Sequence, residues 1–408
     1  MNANQHSIKL GFGRRASVLP RRVRAVLSLL EGLQGGSLTL RLPGEASVRL
    51  GDGPLVAHWT VNDLAMFDRL IASGDIGLGE SWMDGQWSCD DPSALLTLLA
   101  RNRTQLGRAV HGGALSLFAH RLWHLARANT RRGSRQNIAA HYDLGNDFYR
   151  LWLDPSMTYS SAWFEHPEQP LEDAQANKYR RILAAIDPRP GQSILEIGCG
   201  WGGFAEMAAR EYGCRVLGLT LSARQQALAQ ARARAGGWAA QADFVLRDYR
   251  DVRGRFDHVV SIEMIEAVGE AFWPTYYKQL ARTLAPGGTA VIQAITIDEA
   301  LFARYRRGTD FIQRYIFPGG MLPTPNRIRE GARAAGLATR QQDDFGEHYA
   351  RTLQRWMRAF NAQHAGVRAI GFDERFVRMW QFYLAYCEAG FNAGDLNVHH
   401  FTLRHAAA

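Results

Sequence analysis

The hydrophobic positions of the chain follow one pattern before about residue 107 and another after about residue 137. In the first part, three short segments alternate between apolar and polar residues as half-buried strands do: Ser37–Leu42, Ser47–Leu50 and Pro54–Trp59. Two further segments have the spacing of helices: Asn62–Ala72 and Pro92–Asn102. We therefore predict a small α+β domain over residues 1–107.

From about residue 137 onward, apolar runs that suit buried strands alternate with helical segments. The predicted strands are Ser193–Gly198, Arg215–Leu221, Phe244–Arg247, His258–Glu263 and Thr289–Ile295. The predicted helices between them are Gly203–Tyr212, Ala223–Ala235 and Phe272–Leu284. This alternation predicts an α/β domain over residues 137–408 with a doubly wound, mostly parallel sheet, which binds ligands at the carboxyl ends of its strands.

Residues 108–136 are rich in arginine and contain glycine, so we predict a basic linker between the two domains. No acidic residue interrupts the stretch from Arg101 to Arg135, and the formal net charge of the chain is +9. These features favour an anionic partner, either a nucleic acid or an anionic membrane surface, although a solvated face and a flexible linker would carry the same pattern.

The segment from Arg21 to Leu33 predicts an amphipathic helix. Its apolar residues recur at three-to-four spacing, and its arginines fall mostly on the other side. Two interpretations stay open: the helix lies in a layer of lipid headgroups, or it packs on its own domain.

Composition narrows the class of protein. No stretch approaches the roughly 18 apolar residues that span a bilayer. The four cysteines, Cys89, Cys199, Cys214 and Cys387, are scattered. They predict neither a zinc site nor a disulfide framework, which fits a reducing, cytoplasmic location.

Residues 194–203 carry the strongest chemical signal, an apolar run that ends in four closely spaced glycines: Gly198, Gly200, Gly202 and Gly203. The helical segment that follows would direct its N-terminal N–H groups at a ligand. Although the glycines fit a dinucleotide fingerprint, Leu217–Thr220 lacks the acid that such a site needs. Glu196 suits the cationic groups of S-adenosylmethionine. The pattern favours that co-substrate and leaves a dinucleotide open.

Seven segments around the glycine turn can be read together: His141–Asp147, Met157–Phe164, Thr220–Ser222 with Gln225, Arg247–Asp251, Ser261–Gly269, Tyr315–Gly320 and Phe382–Phe391. In this order they resemble the cyclopropane-fatty-acyl-phospholipid synthases, closely over about 137–400 and loosely over the N-terminal domain. The resemblance implies a class I methyltransferase-like Rossmann fold with a lipid-associating N-terminal domain. It further implies methyl transfer from S-adenosylmethionine to the double bond of an unsaturated phospholipid acyl chain, followed by closure to a cyclopropane.

The resemblance also assigns residues to the co-substrate. These are Tyr159, Ser160, Glu196, Gly198, Cys199, Gly200, Gly202, Thr220, Gln225 and Asp248. Backbone amides of the turn would hold the carboxylate of the co-substrate, Thr220 and Gln225 its ribose hydroxyls, and Asp248 its adenine amine. Asp248 could equally act as a helix N-cap.

The family holds a bicarbonate ion as general base, by a Cys, a Glu, a His and a Tyr. Glu266 and Tyr349 match two of these positions, but Ser161 stands for the Cys and Gln293 for the His. Both replacements can donate hydrogen bonds to an anion, yet a Gln cannot titrate. The resemblance adds His141 and Cys387 to the predicted catalytic residues, although an inert buried thiol would explain Cys387 equally well.

We therefore expect an enzyme that forms cyclopropane fatty acids and binds peripherally to the inner face of the membrane. A methyl-branched unsaturated product is the alternative, because Ser161 and Gln293 weaken the expected base site. A catalytically inactive lipid-binding protein is a second alternative. Nucleic-acid methylation is disfavoured, because Ile262–Glu266 lacks the acidic-Pro-Pro-aromatic motif of base methylation. The expected partners are unsaturated phospholipids and an anionic membrane surface, and a homodimer stays open.

Overall fold

The computed structural model describes residues 19–106, 129–130, 133 and 144–407, and contacts between Cα atoms divide the chain into two compact units. The first unit combines the N-terminal part of the chain with residues 371–393. The second unit contains residues 122–370 and 394–408. Most of the predicted linker lies outside the described residues, and so does His141, which follows the linker.

The first unit has a four-stranded sheet in the order β2-β1-β3-β4, in which β1 and β3 are parallel. Its strands are β1 (Gly36–Arg41), β2 (Val48–Leu50), β3 (Leu55–Val61) and β4 (Trp87–Ser88). Its helices are Arg21–Leu30, Ala65–Ser73, Asp75–Met83, Pro92–Arg101, Arg103–Leu106 and Glu374–Asn392.

The apolar face of the helix Arg21–Leu30 is buried within the protein. Val23, Val26, Leu27 and Leu30 are each at most 2% exposed. Burial of these side chains stabilises the first unit. Of the two interpretations left open by the sequence, the described structure supports packing on the helix's own domain.

The helix Glu374–Asn392 also packs in the first unit, which corrects the prediction of one continuous domain over residues 137–408. Glu388 accepts a hydrogen bond of 2.7 Å from Ser93, and Tyr386 donates one of 2.8 Å to Asp75. The helix has an apolar face like any other, so its sequence pattern did not reveal which core it joins.

The second unit contains a seven-stranded sheet in the order β10-β11-β9-β8-β5-β6-β7. Its strands are β5 (Ser193–Ile197), β6 (Arg215–Thr220), β7 (Ala242–Leu246), β8 (Phe256–Ile262), β9 (Leu284–Ile297), β10 (Leu337–Asp344) and β11 (Leu396–His405). Strands β5 to β9 pair in parallel, and β11 is antiparallel to both of its neighbours. The predicted mostly parallel α/β fold is confirmed, although the sequence analysis missed β10 and β11.

Helices surround this sheet. Their bounds are Asn146–Arg150, Leu171–Ile186, Gly203–Arg210, Ala223–Ala235, Trp273–Thr283, Glu299–Tyr305, Phe311–Tyr315, Pro325–Ala334, Gly346–Ala362 and His364–Ala369, with short 3₁₀ turns at Tyr249–Asp251, Ile265–Ala267 and Glu270–Phe272. In the described part of the chain, no helix is both long and apolar enough to cross a membrane.

Candidate active site

The glycine turn follows β5 and leads directly into the helix Gly203–Arg210. Gly198, Gly200 and Gly202 have φ angles of 85°, 52° and 87°, a region that favours glycine. A Cβ on Gly202 would also lie 3.1 Å from the Phe244 ring. The N–H groups of Gly198 and Cys199 both donate to the carbonyl of Leu219, which fixes the turn against β6. The turn thereby presents backbone N–H groups at a helix start, as an anionic carboxylate requires.

Glu196 lies in β5, two residues before the turn. The residue is 2% exposed, and its Oε2 atom is buried without a hydrogen-bond partner in the described structure. Burial raises its pKa well above the ordinary value, and nearby Lys178 opposes that shift. A buried carboxylate oxygen that lacks a donor fits the cationic groups of S-adenosylmethionine, which would supply one.

Thr220 and Gln225 lie together where β6 ends. Thr220 donates a hydrogen bond of 2.7 Å to the Gln225 side-chain oxygen, and both residues are 5% exposed. The N–H of Ser222 donates to the Thr220 hydroxyl, which orders the start of the helix Ala223–Ala235. This pairing leaves the Gln225 amide group as a donor at the strand end, as a ribose contact would need.

Asp248 comes two residues after β7 and caps the 3₁₀ turn Tyr249–Asp251. Its carboxylate accepts bonds of 2.8 and 2.6 Å from the Arg250 guanidinium. It also accepts from the Arg250 N–H, as an N-cap does. The capping role proposed from the sequence is therefore present, and the predicted adenine contact stays a prediction.

Tyr159 and Ser160 lie on the loop before the helix Leu171–Ile186. The Tyr159 ring packs 5.3 Å from the ring of Trp356, centroid to centroid. The Ser160 hydroxyl accepts a hydrogen bond of 2.6 Å from Lys178. Both residues are thus held in place by packed neighbours.

The sequence analysis did not single out Glu263, yet three predicted anion-site residues converge on it. It follows β8 and has a φ of 48°. Its Oε1 accepts hydrogen bonds of 2.9 Å from the Ser161 N–H and 2.8 Å from the Gln293 amide. Its Oε2 accepts a hydrogen bond of 2.7 Å from the Tyr349 hydroxyl. The one available signal was a second acid, three residues before Glu266, at a strand end.

The sheet register explains why these groups meet. Ile197 of β5 pairs with Ser261 of β8, so the glycine turn and Glu263 follow adjacent strand ends. Gln293 of β9 pairs with Ile262 on one side and with His400 of β11 on the other. Two residues reach the cluster from outside the sheet: Ser161 from a loop and Tyr349 from the helix Gly346–Ala362.

His400 fixes the orientation of the Gln293 amide. Burial lowers the His400 pKa to about 3, so its ring is neutral. Its Nε2 lies 2.9 Å from the Gln293 Oε1. Because Glu263 can only accept while ionised, the Gln293 amide must turn its nitrogen to Glu263 and its oxygen to His400.

Glu266 occupies a different environment from Glu263. Its Oε1 accepts a hydrogen bond of 2.5 Å from the Ile295 N–H. Its Oε2 is buried without a hydrogen-bond partner in the described structure. Burial, followed by the charge of Glu263, raises its pKa to about 8. The raised pKa favours the protonated form of Glu266 near neutral pH, whereas three hydrogen-bond donors stabilise the ionised form of Glu263.

Lys178 is a second residue that the sequence analysis missed. It is fully buried in the helix Leu171–Ile186, and burial lowers its pKa to about 7. The charges of Glu263, Asp154 and Glu196 oppose that shift. The charge of Lys178 therefore interacts both with Glu196, before the glycine turn, and with Glu263.

Cys387 lies on the helix Glu374–Asn392 of the first unit, and its predicted catalytic role stays a prediction. His141 lies outside the described residues. Among the described residues, no group of three His, Cys, Asp or Glu side chains could hold a metal ion. The described site thus consists of the glycine turn and the Glu263 cluster.

The family model for mycolic acid cyclopropane synthetases matches residues 129–401. The chain is 40% identical over 349 residues to a tuberculostearic acid methyltransferase of Mycobacterium tuberculosis, covering 83% of this chain and 81% of that one. It is 33% identical over 367 residues to the cyclopropane-fatty-acyl-phospholipid synthase of Escherichia coli, covering 88% and 91%.

Solved structures agree with this match. Mycolic acid cyclopropane synthase CmaA1, complexed with SAH and CTAB, is 31% identical with a TM-score of 0.63, and the alignment covers 66% of this chain and 97% of that one. Coclaurine N-methyltransferase has the same TM-score at 15% identity, which shows the class I methyltransferase fold alone. The chain therefore belongs to the mycolic acid cyclopropane synthetase family of methyltransferases, whose co-substrate is S-adenosyl-L-methionine.

Proposed function

We propose that the protein transfers the methyl group of S-adenosylmethionine to the double bond of an unsaturated phospholipid acyl chain and forms a cyclopropane fatty acid. The observation that supports this proposal best is the placement of Glu263 beside the glycine turn, held by Ser161, Gln293 and Tyr349. A methyl-transfer site with an adjacent carboxylate has the two groups that the reaction needs.

The chemistry requires a base that acts after methyl transfer. The π electrons of the alkene attack the sulfonium methyl carbon, the S–C bond breaks, and S-adenosylhomocysteine leaves. The resulting carbocation then loses a proton from the new methyl group, and the released C–H electron pair closes the ring. A carboxylate near the methyl group can accept that proton.

Aromatic side chains near the cluster are suited to shelter the cation. The ring of Trp356 lies 5.3 Å from Tyr159 and 6.2 Å from Tyr349, between ring centroids. Ring faces attract a positive charge, and they exclude the water that would quench it.

A methyl-branched unsaturated product is the second candidate. The relative at 40% identity is named a tuberculostearic acid methyltransferase, which favours it. The sequence reason for it was the loss of a titratable His at Gln293. Because Glu263 supplies a carboxylate that hydrogen-bonds to Gln293, that reason is weakened, and we place cyclopropane formation first.

We further propose that the protein acts at the inner face of the membrane. The substrate is a membrane lipid under the proposed function, and the net charge of +9 favours an anionic surface. The helix Arg21–Leu30 carries Arg21 and Arg22 on its exposed side. Homodimer formation stays a prediction.

Product analysis tests the function. The protein is incubated with S-adenosylmethionine and vesicles of an unsaturated phospholipid, and the acyl chains are resolved as methyl esters by mass spectrometry and proton NMR. We expect a chain heavier by one CH₂ that has cyclopropane protons and has lost its olefinic protons. Vesicles of a saturated phospholipid are the control. A product that keeps an olefin would support the second candidate, and no methylated lipid from any unsaturated phospholipid would contradict both.

A further inference from the structure

We infer that Glu263 is the general base of the reaction and that this protein works without the bicarbonate ion that its family resemblance implies. The inference rests on the proposed function for its chemistry. Its structural part, a side-chain carboxylate in the place of a bound anion, can be tested without turnover.

Glu263 already uses the donors that an anion would need. The Gln293 amide donates to its Oε1, and the Tyr349 hydroxyl donates to its Oε2. Ser161 contributes its backbone N–H to the cluster. Its hydroxyl instead donates a hydrogen bond of 3.0 Å to the carbonyl of Ala162. The predicted bicarbonate residues therefore do not form an anion site in this chain.

The charges around Glu263 also disfavour a bound anion. A bound bicarbonate would add a negative charge beside Glu263, while Glu266 lies close enough for the charge of Glu263 to raise its pKa. Lys178 is a cation whose charge acts on Glu263. A bicarbonate ion would repel the carboxylate of Glu263, which disfavours its binding beside that residue.

The backbone holds Glu263 in an unfavourable conformation, with a φ of 48°. Within the described chain, the non-glycine residues with positive φ are Met157, Asp187 and Glu263. A side chain in this region persists where the surroundings over-determine it, and such positions cluster at functional sites. Here the three hydrogen bonds to the carboxylate hold Glu263 in this conformation. His400 fixes one of the donors because it hydrogen-bonds to Gln293.

The proton transfer balances with residues of the chain alone. Glu263 enters the step as a carboxylate and accepts the proton that the new methyl group loses. The C–H electron pair forms the second C–C bond of the ring, and Glu263 becomes a carboxylic acid. Within the described residues its Oε2 accepts a hydrogen bond from Tyr349, and a carboxylate oxygen has a second lone pair that can take the proton. Glu263 is half-buried, which leaves it reachable by substrate.

Two variants of Glu263 test the inference by turnover. Glu263→Gln keeps the shape but cannot accept the proton, so we expect turnover to fall by at least about 100-fold with or without bicarbonate. Glu263→Gly relieves the positive φ and leaves the donors of Gln293, Tyr349 and Ser161 for an external anion. We expect it to be inactive in CO₂-free buffer and to recover at least about tenfold with bicarbonate. Exposed Glu172→Gln is the matched control, and calorimetric binding of S-adenosylmethionine checks that each variant is folded.

The wild-type protein gives the decisive comparison. We expect its turnover to be the same in CO₂-free buffer and with added bicarbonate. We expect NMR with ¹³C-bicarbonate to show binding to Glu263→Gly and none to the wild type. Bicarbonate-dependent turnover, bicarbonate binding by the wild type, or an active Glu263→Gln would each overturn the inference. If the wild type methylates no lipid, the proposed function fails, while the NMR comparison still decides whether Glu263 fills the anion site.

Discussion

At the scale of single residues, the site depends on how burial and charge divide the roles of two neighbouring carboxylates. Partial burial raises the pKa of Glu263, but Tyr349, Ser161, Lys178 and Gln293 each stabilise its ionised form. Glu266 has one N–H donor, and its pKa rises to about 8. The first is therefore suited to accept a proton, and the second to stay neutral.

Removal of the buried cation should shift the pH dependence of turnover. Glu263 must be ionised to act as a base, so turnover falls as the pH drops through its pKa. Lys178 lowers that pKa, and Lys178→Met should therefore move the acidic limb of the pH–rate profile to higher pH. Lys278→Met, at an exposed position, is the control. An unshifted acidic limb in Lys178→Met would contradict the electrostatic link.

Substitution of Glu266 should affect stability more clearly than chemistry. Its pKa is about 8 in the folded protein, against an ordinary value of 4.5, so the folded state holds the extra proton between these pH values. Folding stability contributed by this group is then lost as the pH rises from about 4.5 to 8. Glu266→Gln should gain stability over the wild type across that window, as measured by urea unfolding at several pH values. A stability difference that does not change with pH would contradict the raised pKa.

The same scale shows the limit of sequence reasoning. The matched positions Ser161, Gln293 and Tyr349 were predicted and do meet, but the group they bind was not predicted. Glu263 was not among the positions matched to the family, and the hydrogen bonds that hold it come from a loop, a strand and a helix far apart in sequence.

At the scale of elements, the strand–turn–helix around Gly198–Gly203 was predictable because local conformation alone requires its glycines. The helix Ala223–Ala235 has the predicted bounds for a similar reason, since Ser222 caps it. Strands β10 and β11 were missed because β11 comes after the helix Glu374–Asn392 and enters the sheet antiparallel between β10 and β9. Local patterns do not record such long-range pairing.

The glycine turn offers a matched pair of substitutions. Gly202 and Gly200 both have positive φ, so alanine strains either one. Only at Gly202 does a Cβ meet neighbours, 3.1 Å from Phe244 and 3.2 Å from Ala229. Gly202→Ala should therefore cost about 1–3 kcal/mol of unfolding free energy beyond Gly200→Ala. Chemical denaturation measures the difference, and equal costs would mean that close packing does not constrain the turn.

At the scale of the whole molecule, the chain is two compact units, and the first recruits residues 371–393 from the C-terminal part. The hydrophobic pattern predicted two domains but not this exchange, because Ser93 and Glu388 meet only in the folded chain. The basic character of the chain was evident from the net charge of +9.

Membrane binding should depend on salt. With a net charge of +9, we expect binding to vesicles that contain anionic phospholipid to weaken as the ionic strength rises from about 0.05 to 0.5 M, since screening shortens the range of charge attraction. Vesicles of neutral phospholipid are the control. Co-sedimentation that is equally strong at both ionic strengths, and on both vesicle types, would contradict an electrostatic role.

The most direct test of the account is the fate of the transferred methyl group. The wild-type protein is supplied with S-adenosylmethionine that carries a CD₃ group, in CO₂-free buffer, and the lipid product is examined by mass spectrometry and deuterium NMR. The account predicts a cyclopropane that keeps two of the three deuterium atoms, because Glu263 removes one deuteron from the transferred methyl group. A product that keeps all three deuterium atoms, or a reaction that requires added bicarbonate, would contradict the account.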